Sequence, residues 1–172
     1  ALCAIPYITA SQTMFLCADT PLVKATTLQS LIAAATNTMG IITTITEKPT
    51  GFGRIVRNKA NKFERVVEEK DVTNAEKNIN EVATGIMLAP TKFLAANLSK
   101  IKNDNTQQEY YLPEIMPMWL KSGNEVSIVQ TKSYKTTLGA NNLQELALLE
   151  KYQQQQIITK LMLSGVKIIN PD

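Results

Sequence analysis

Apolar residues in this chain come in short blocks whose spacing changes from block to block. "MFLCA" (Met14–Ala18) is continuous, which predicts a strand buried on both faces, as in a parallel sheet. "ATTLQSLIAAAT" (Ala25–Thr36) repeats Leu28, Leu31, Ile32 and Ala35 at helical spacing. "GIITTITE" (Gly40–Glu47) is β-branched and predicts a second strand. Pro49, Gly51 and Gly53 then impose a tight loop, after which Arg54–Arg57 restarts as a short strand. Asn58–Asn61 is a turn, Lys62–Glu69 the next strand, and Val72–Asn80 a weak, polar helical turn.

The second half is more regular. Glu81–Pro90 predicts a central apolar strand, and its internal Gly85 marks a bulge or a close backbone approach. Pro90 suits the start of a helix over Thr91–Ile101. Glu109–Gly123 predicts a helix with Pro113 near its first turn and Pro117 placed to kink it. Glu125–Thr131 alternates as a strand. The strongest helix runs from Asn142 to about residue 164. Asn142 followed by Glu145 resembles a capping box, Gln153–Gln156 forms a solvated face, and Gly165 supplies the stop. This order of strands and helices predicts an α/β domain whose first part is missing. An open parallel sheet binds its ligand beyond the carboxyl ends of its strands, where Asp19 lies.

Composition narrows the classes. The chain's 172 residues fit one domain, and 44% hydrophobic with 19% charged residues excludes a disordered or fibrous chain. A net charge of +3 with scattered basic residues argues against nucleic acid. There is no histidine, which removes a cysteine–histidine zinc site and any histidine-based triad. Cys3 and Cys17 read as small hydrophobes in a reducing, cytoplasmic compartment. No apolar run reaches the ~18 residues of a membrane span. No charged segment typical of a signal peptide opens the chain, and its start at Ala1 suggests part of something longer.

Four stretches could carry chemistry. Asp19 ends an apolar run and either caps the Thr20-Pro21 turn or binds a hard cation such as magnesium. "PTGFGR" (Pro49–Arg54) is either a hairpin turn or a loop whose bare backbone approaches a flat ligand. Glu68 and Glu69 alternate across a strand, so one can enter a site as an acceptor for sugar hydroxyls, or both can form a charged edge. In "LGANN" (Leu138–Asn142), Asn142 caps the long helix. Asn141 is then either free to offer its amide oxygen to the same cation or a plain loop residue.

Taken in order, "ADTPLV", "TLQSLI", "PTGFGRIVR", "VVEEKDVT", "ATGIMLAP", "EYYLPEI", "GANNLQELALLE" and "LMLSGVKIINPD" resemble the uridyltransferase domain of the bacterial bifunctional N-acetylglucosamine-1-phosphate uridyltransferase/glucosamine-1-phosphate acetyltransferase family. The resemblance covers the C-terminal two-thirds of that domain. It implies a Rossmann-like nucleotide-diphospho-sugar transferase fold with a mixed, mostly parallel sheet and its N-terminal part missing. It implies a partial nucleotidyltransferase domain over 1–164, with a linker helix at about 142–164. Residues 165–172 would begin the junction to an absent left-handed β-helix, which in the family trimerises and carries acetyltransferase activity.

The implied reaction joins UTP to N-acetylglucosamine-1-phosphate, giving UDP-N-acetylglucosamine and pyrophosphate for cell-wall precursors, with Mg2+ as cofactor. Matched residue by residue, Asp19 and Asn141 are the magnesium ligands. Gly53 contacts the sugar's N-acetyl group through its backbone, Glu68 holds sugar hydroxyls, and Thr84 with Gly85 falls in a sugar-binding strand motif. Ala83 stands where that motif has its asparagine, Ala18 where a glycine precedes the metal aspartate, and "EYYLPE" where "EYY-x-T-D" is usual. The family's glycine-rich triphosphate loop and uracil-reading segment fall before Ala1. The resemblance therefore implies the metal and sugar half of a site. The alternatives are a catalytically inactive remnant or split-gene product of the family, and a related enzyme for a different sugar.

Overall fold

In the computed structural model, which describes residues 1–171, the alternation of side chains along two strands decides the architecture. In β2 (Met39–Ile45), Met39 and Ile41 enter one core cluster and Ile42 the other. In β5 (Glu81–Pro90), Met87 and Ala89 join the first cluster, Ile86 and Leu88 the second. Both strands are therefore apolar on both faces, and each face needs a cover. Helix α1 (Ala25–Ala34) covers one face with the fully buried Leu31 and, just past its end, Ala35. Gly40 on β2 makes this approach possible, since a Cβ there would lie 2.7 Å from both Ala35 Cβ and Leu31 Cδ1. Helices α2 (Thr91–Asn97) and α3 (Ile115–Lys121) cover the other face through Leu94, Ile115 and Met116.

The six-stranded sheet is ordered β4-β3-β5-β2-β6, with β1 (Gln12–Phe15), β3 (Arg54–Arg57), β4 (Phe63–Val67) and β6 (Val126–Gln130) completing it; β1 pairs with β5 off this path. The α/β class and mixed sheet hold, but the expected parallel majority does not. Among the described residues β2/β6 is the parallel pair, and the other pairings are antiparallel. The reason is that β5 runs against β1, β2 and β3 alike.

Four elements differ from the sequence pattern. The strand expected over Lys62–Glu69 ends at Val67 and Glu69 opens a 3-10 turn, so Glu68 and Glu69 do not alternate across a strand. β1 is shorter than Met14–Ala18 and only half-buried: it pairs on one side, and the run beyond Phe15 turns outward, leaving Leu16 56% exposed. The segment Glu109–Gly123 is not one helix. Tyr110 and Tyr111 stay in a loop after Gln108, whose φ is 53°, and a 3-10 turn at Leu112–Glu114 leads into α3. Pro117 is the third residue of α3, where its missing N–H has no intrahelical partner to lose, so it does not interrupt the helix. The predicted helix over Thr91–Ile101 ends at Asn97 and continues as a 3-10 turn at Leu98–Lys100.

Helix α4 (Leu143–Leu163) is the longest element, and Gln153–Gln156 is solvated as expected. Gly165, at φ 93°, follows its C-terminus. Residues 166–171 form no regular element, and Asp172, which ends the expected junction segment, lies outside the described residues. No helix among the described residues is long and apolar enough to cross a membrane.

Candidate functional site

The site begins as a gap on one edge of β5. β1 pairs there with residues 87–90 and β3 with Val82, so both strands use the same side of β5 and leave its middle uncovered. Gly85 sits in that gap at φ 77°, opposite a break in the β2 register between Ile41 and Thr43. The bulge predicted from this glycine is therefore present. A Cβ on Gly85 would lie 2.5 Å from Cys17 Sγ, a second reason for glycine there. The Thr84 hydroxyl donates to the Ile42 carbonyl at 2.8 Å, and its oxygen lies 3.4 Å from the Ile86 N–H. Thr84 thus stitches the bulge to β2 while lining the cavity in front of it.

That cavity, of about 470 Å³, brings Asp19 and Asn141 together with Thr84. Asp19 lies in a turn beyond β1, not at the strand's last residue. The turn is closed by Thr20, whose hydroxyl donates to the Cys17 carbonyl at 2.9 Å. This side-chain hydrogen bond, the job of a turn cap, belongs to Thr20 rather than to Asp19. The Asp19 backbone carbonyl accepts from the Ala140 N–H at 3.0 Å, which lays the loop 139–141 against the acid. A Cβ on Gly139 would sit 2.6 Å from Asp19 Oδ2, so the carboxylate occupies space that only glycine leaves open. Burial, and then the Asp19 charge beside it, pushes the Cys17 thiol up and keeps it protonated.

Asn141 enters the same cavity from the start of α4. The Asn142 side chain accepts from the Glu145 N–H at 2.9 Å, as a helix cap should. The reciprocal half of the capping box is displaced by one residue. Glu145 reaches back to Asn141 rather than Asn142, accepting from its backbone N–H at 2.7 Å and its Nδ2 at 3.2 Å. These bonds, the backbone one first, hold the Glu145 carboxyl below its ordinary range.

Glu68 does not share this cavity. It lines a second one, also of about 470 Å³, with Asp71, Tyr111 and Glu114. Burial, reinforced by Asp71, Glu109 and Glu114, pushes its carboxyl up. Gly53 is the link between the two halves. Its carbonyl accepts from the Ala83 N–H at 2.8 Å, and a Cβ on it would lie 3.1 Å from Glu68 Oε2. The loop before it, with Gly51 at φ 88° and Phe52, lines the Asp19 cavity.

Two participants were not singled out from sequence as parts of the site. Glu145 faces the Asp19 cavity, and its spacing of four residues from Asn141 was the available signal. Asp71 accepts from the Thr106 N–H at 2.9 Å and so ties the loop of residues 103–109 to the Glu68 cavity. Nothing in the local pattern around Asp71 announces this pairing.

As a donor set, one carboxylate and one amide oxygen beside open space suit a hard divalent cation that keeps most of its water or phosphate ligands. Among the described residues no group of three or more cysteine, aspartate or glutamate side chains could hold a metal by itself.

Comparison with known proteins supplies the family context. No protein-family model matches the chain. It is 42% identical over 170 residues to the bifunctional protein GlmU of Azoarcus sp. (strain BH72) and 41% identical to that of Paraburkholderia phymatum; each match covers 98% of this chain and 38% of the relative. The GlmU protein of Idiomarina loihiensis is 40% identical over 169 residues. The chain thus spans well under half the length of the curated relatives it matches. Among solved structures, a CMP:2-keto-3-deoxy-manno-octonic acid synthetase in complex with CTP superposes with a TM-score of 0.57 at 15% identity, covering 96% of this chain and 67% of that one. Over nearly its whole length the chain is similar to one segment of the GlmU bifunctional proteins, and its fold is that of the nucleotide-diphospho-sugar transferases.

Proposed function

We propose that this chain supplies the magnesium- and sugar-binding part of a uridyltransferase that joins UTP to N-acetylglucosamine-1-phosphate. In that reaction a phosphate oxygen of the sugar phosphate attacks the α-phosphorus of UTP. One P–O bond forms, the P–O bond to the β-phosphate breaks, and pyrophosphate leaves. Such a transfer asks mainly for positioning and charge neutralisation. The absence of histidine is no obstacle to it.

The observation that carries the reading is the convergence of Asp19 and Asn141 on one cavity in a chain so similar to GlmU proteins. Asp19 and the Asn141 amide oxygen would hold magnesium, which when bound neutralises the phosphates and orients them. Glu68 accepts hydrogen bonds from sugar hydroxyls in the neighbouring cavity. Gly53, between the two, keeps the backbone close to the sugar's acyl group. Ala83 has no polar side chain, and its N–H is already used by the Gly53 carbonyl.

Backbone NMR with Mn2+ as a paramagnetic probe tests the assignment. Mn2+ is expected to broaden the amides of Asp19, Gly139 and Asn141, while N-acetylglucosamine-1-phosphate shifts those of Gly53 and Glu68. Asp19→Asn should abolish the first effect and leave the second. Unchanged broadening in Asp19→Asn would remove the metal assignment. Equal shifts with galactose-1-phosphate would remove the sugar assignment.

A further inference from the structure

The loop that delivers Asn141 is held by a group that has no place in the reading above. We propose that Glu145 is a positioning residue that fixes the Asn141 amide with its oxygen turned away from α4 and free for the cation. This rests on the metal assignment made under Proposed function.

The chemistry of the partner sets the orientation. An amide can usually flip, because its oxygen and nitrogen ends have the same shape. Here the neighbour is a carboxylate, which when ionised accepts hydrogen bonds and cannot donate one. Only the NH2 end of Asn141 can satisfy it, and Nδ2 lies 3.2 Å from Glu145 Oε2. The same oxygen accepts from the Asn141 backbone N–H at 2.7 Å, so one atom holds main chain and side chain together. Oδ1 is the end of the amide left over.

Glu145 is itself fixed. Its N–H donates to Asn142 Oδ1 at 2.9 Å, which places it in the first turn of α4. On the opposite side, the loop is pinned by the Ala140 N–H to the Asp19 carbonyl, with Gly139 giving way to the Asp19 carboxylate. The short segment 139–141 is therefore tied at one end to the first oxygen donor and at the other to the residue that orients the second. The charge matters for this: both bonds are charge-assisted, and a neutral amide oxygen in the same place would hold the orientation of Asn141 more weakly.

The experiment compares wild type, Glu145→Gln, Glu145→Asp, Asn141→Ala and Asp19→Asn by two measurements. One is Mn2+ affinity by electron paramagnetic resonance titration. The other is the side-chain 15N–1H2 signal of Asn141 without metal. Glu145→Gln should move that signal and weaken Mn2+ about tenfold, as loss of a group behind a metal ligand does. Its helix cap survives, because the cap uses the backbone N–H of residue 145. Glu145→Asp keeps an acceptor-only group and should bind Mn2+ more tightly than Glu145→Gln. Wild-type Mn2+ affinity in Glu145→Gln, with Asn141→Ala and Asp19→Asn both weakened, would overturn the positioning role and leave the metal assignment intact. Glu145→Asp no better than Glu145→Gln would also overturn it. Unchanged affinity in Asp19→Asn would instead remove the metal assignment, and this inference with it.

Discussion

Glu68 is placed at a cost that can be measured. Burial comes first among the causes, followed by the charges of Asp71, Glu109 and Glu114, and together they raise its carboxyl above the ordinary value of 4.5. The sign of the pH dependence follows. The folded chain holds this proton more tightly than the unfolded chain, so the favourable contribution is complete below pH 4.5 and is lost as pH rises through the folded value. Once Glu68 is ionised, its charge sits in a setting that disfavours it. Glu68→Gln removes the charge and keeps one acceptor. Thermal melts should show it more stable than wild type at pH 7, with the two curves converging below pH 4.5. The same variant should bind N-acetylglucosamine-1-phosphate more weakly, an exchange of stability for function. A stability gap that does not change with pH would refute this account of Glu68.

Between the two cavities the relevant element is the loop of residues 49–53, and a buried arginine holds it. Arg54 is 3% exposed; its Nη1 donates to the Phe52 carbonyl and meets Glu69 Oε2 at 2.8 Å. That carboxylate oxygen also accepts from the Gly51 N–H at 3.1 Å. Burial works against the Glu69 charge, but Arg54 and the Gly51 N–H outweigh it and hold the carboxyl below its ordinary range. Glu68 and Glu69 thus divide the work: one lines the second cavity and the other latches the loop. Glu69→Ala strands a buried guanidinium whose Nε already lacks a partner. Its cost should fall between that of an exposed and a buried ion pair, about 2 kcal/mol by urea denaturation. A loss under about 0.5 kcal/mol, the level of a surface pair, would show that the latch is not holding the loop.

This latch marks the boundary of what the sequence discloses. Arg54–Arg57 and Glu81–Pro90 are readable to the residue, because glycine and proline bound them and their side chains alternate. The bulge at Gly85 and the cap at Asn142 are readable for similarly local reasons. The direction of β5 against its neighbours is not, since period-2 patterning is the same in parallel and antiparallel pairs. Nor is the burial of Arg54, which depends on a glutamate fifteen residues away. Asp19 and Asn141 are far apart in sequence; their local pattern leaves a shared cation and a plain loop as alternatives, and the family resemblance selects the first. The structure places them in one cavity and Glu68 in another.

At the scale of the whole molecule the question is charge. Among the described residues lining the Asp19 cavity, two are carboxylates, Asp19 and Glu145, and none is lysine or arginine. Arg65, Lys100 and Lys102 line the Glu68 cavity instead. Arg65 is moreover paired with Glu64 and Glu76. A triphosphate brought to Asp19 therefore meets like charge, and a single divalent cation held by one acid and one amide does not offset it. The proposed reaction therefore needs cationic side chains from outside this set. The 172-residue chain, given UTP, N-acetylglucosamine-1-phosphate and magnesium, should release no pyrophosphate above the protein-free background, while the sugar phosphate still shifts the Glu68 amide. A longer chain that carries lysine or arginine to the cavity should turn over and should lose that activity on Asp19→Asn. Robust magnesium-dependent release by the 172 residues alone would mean that phosphate neutralisation is met inside this fold, and the division of the site argued here would be wrong.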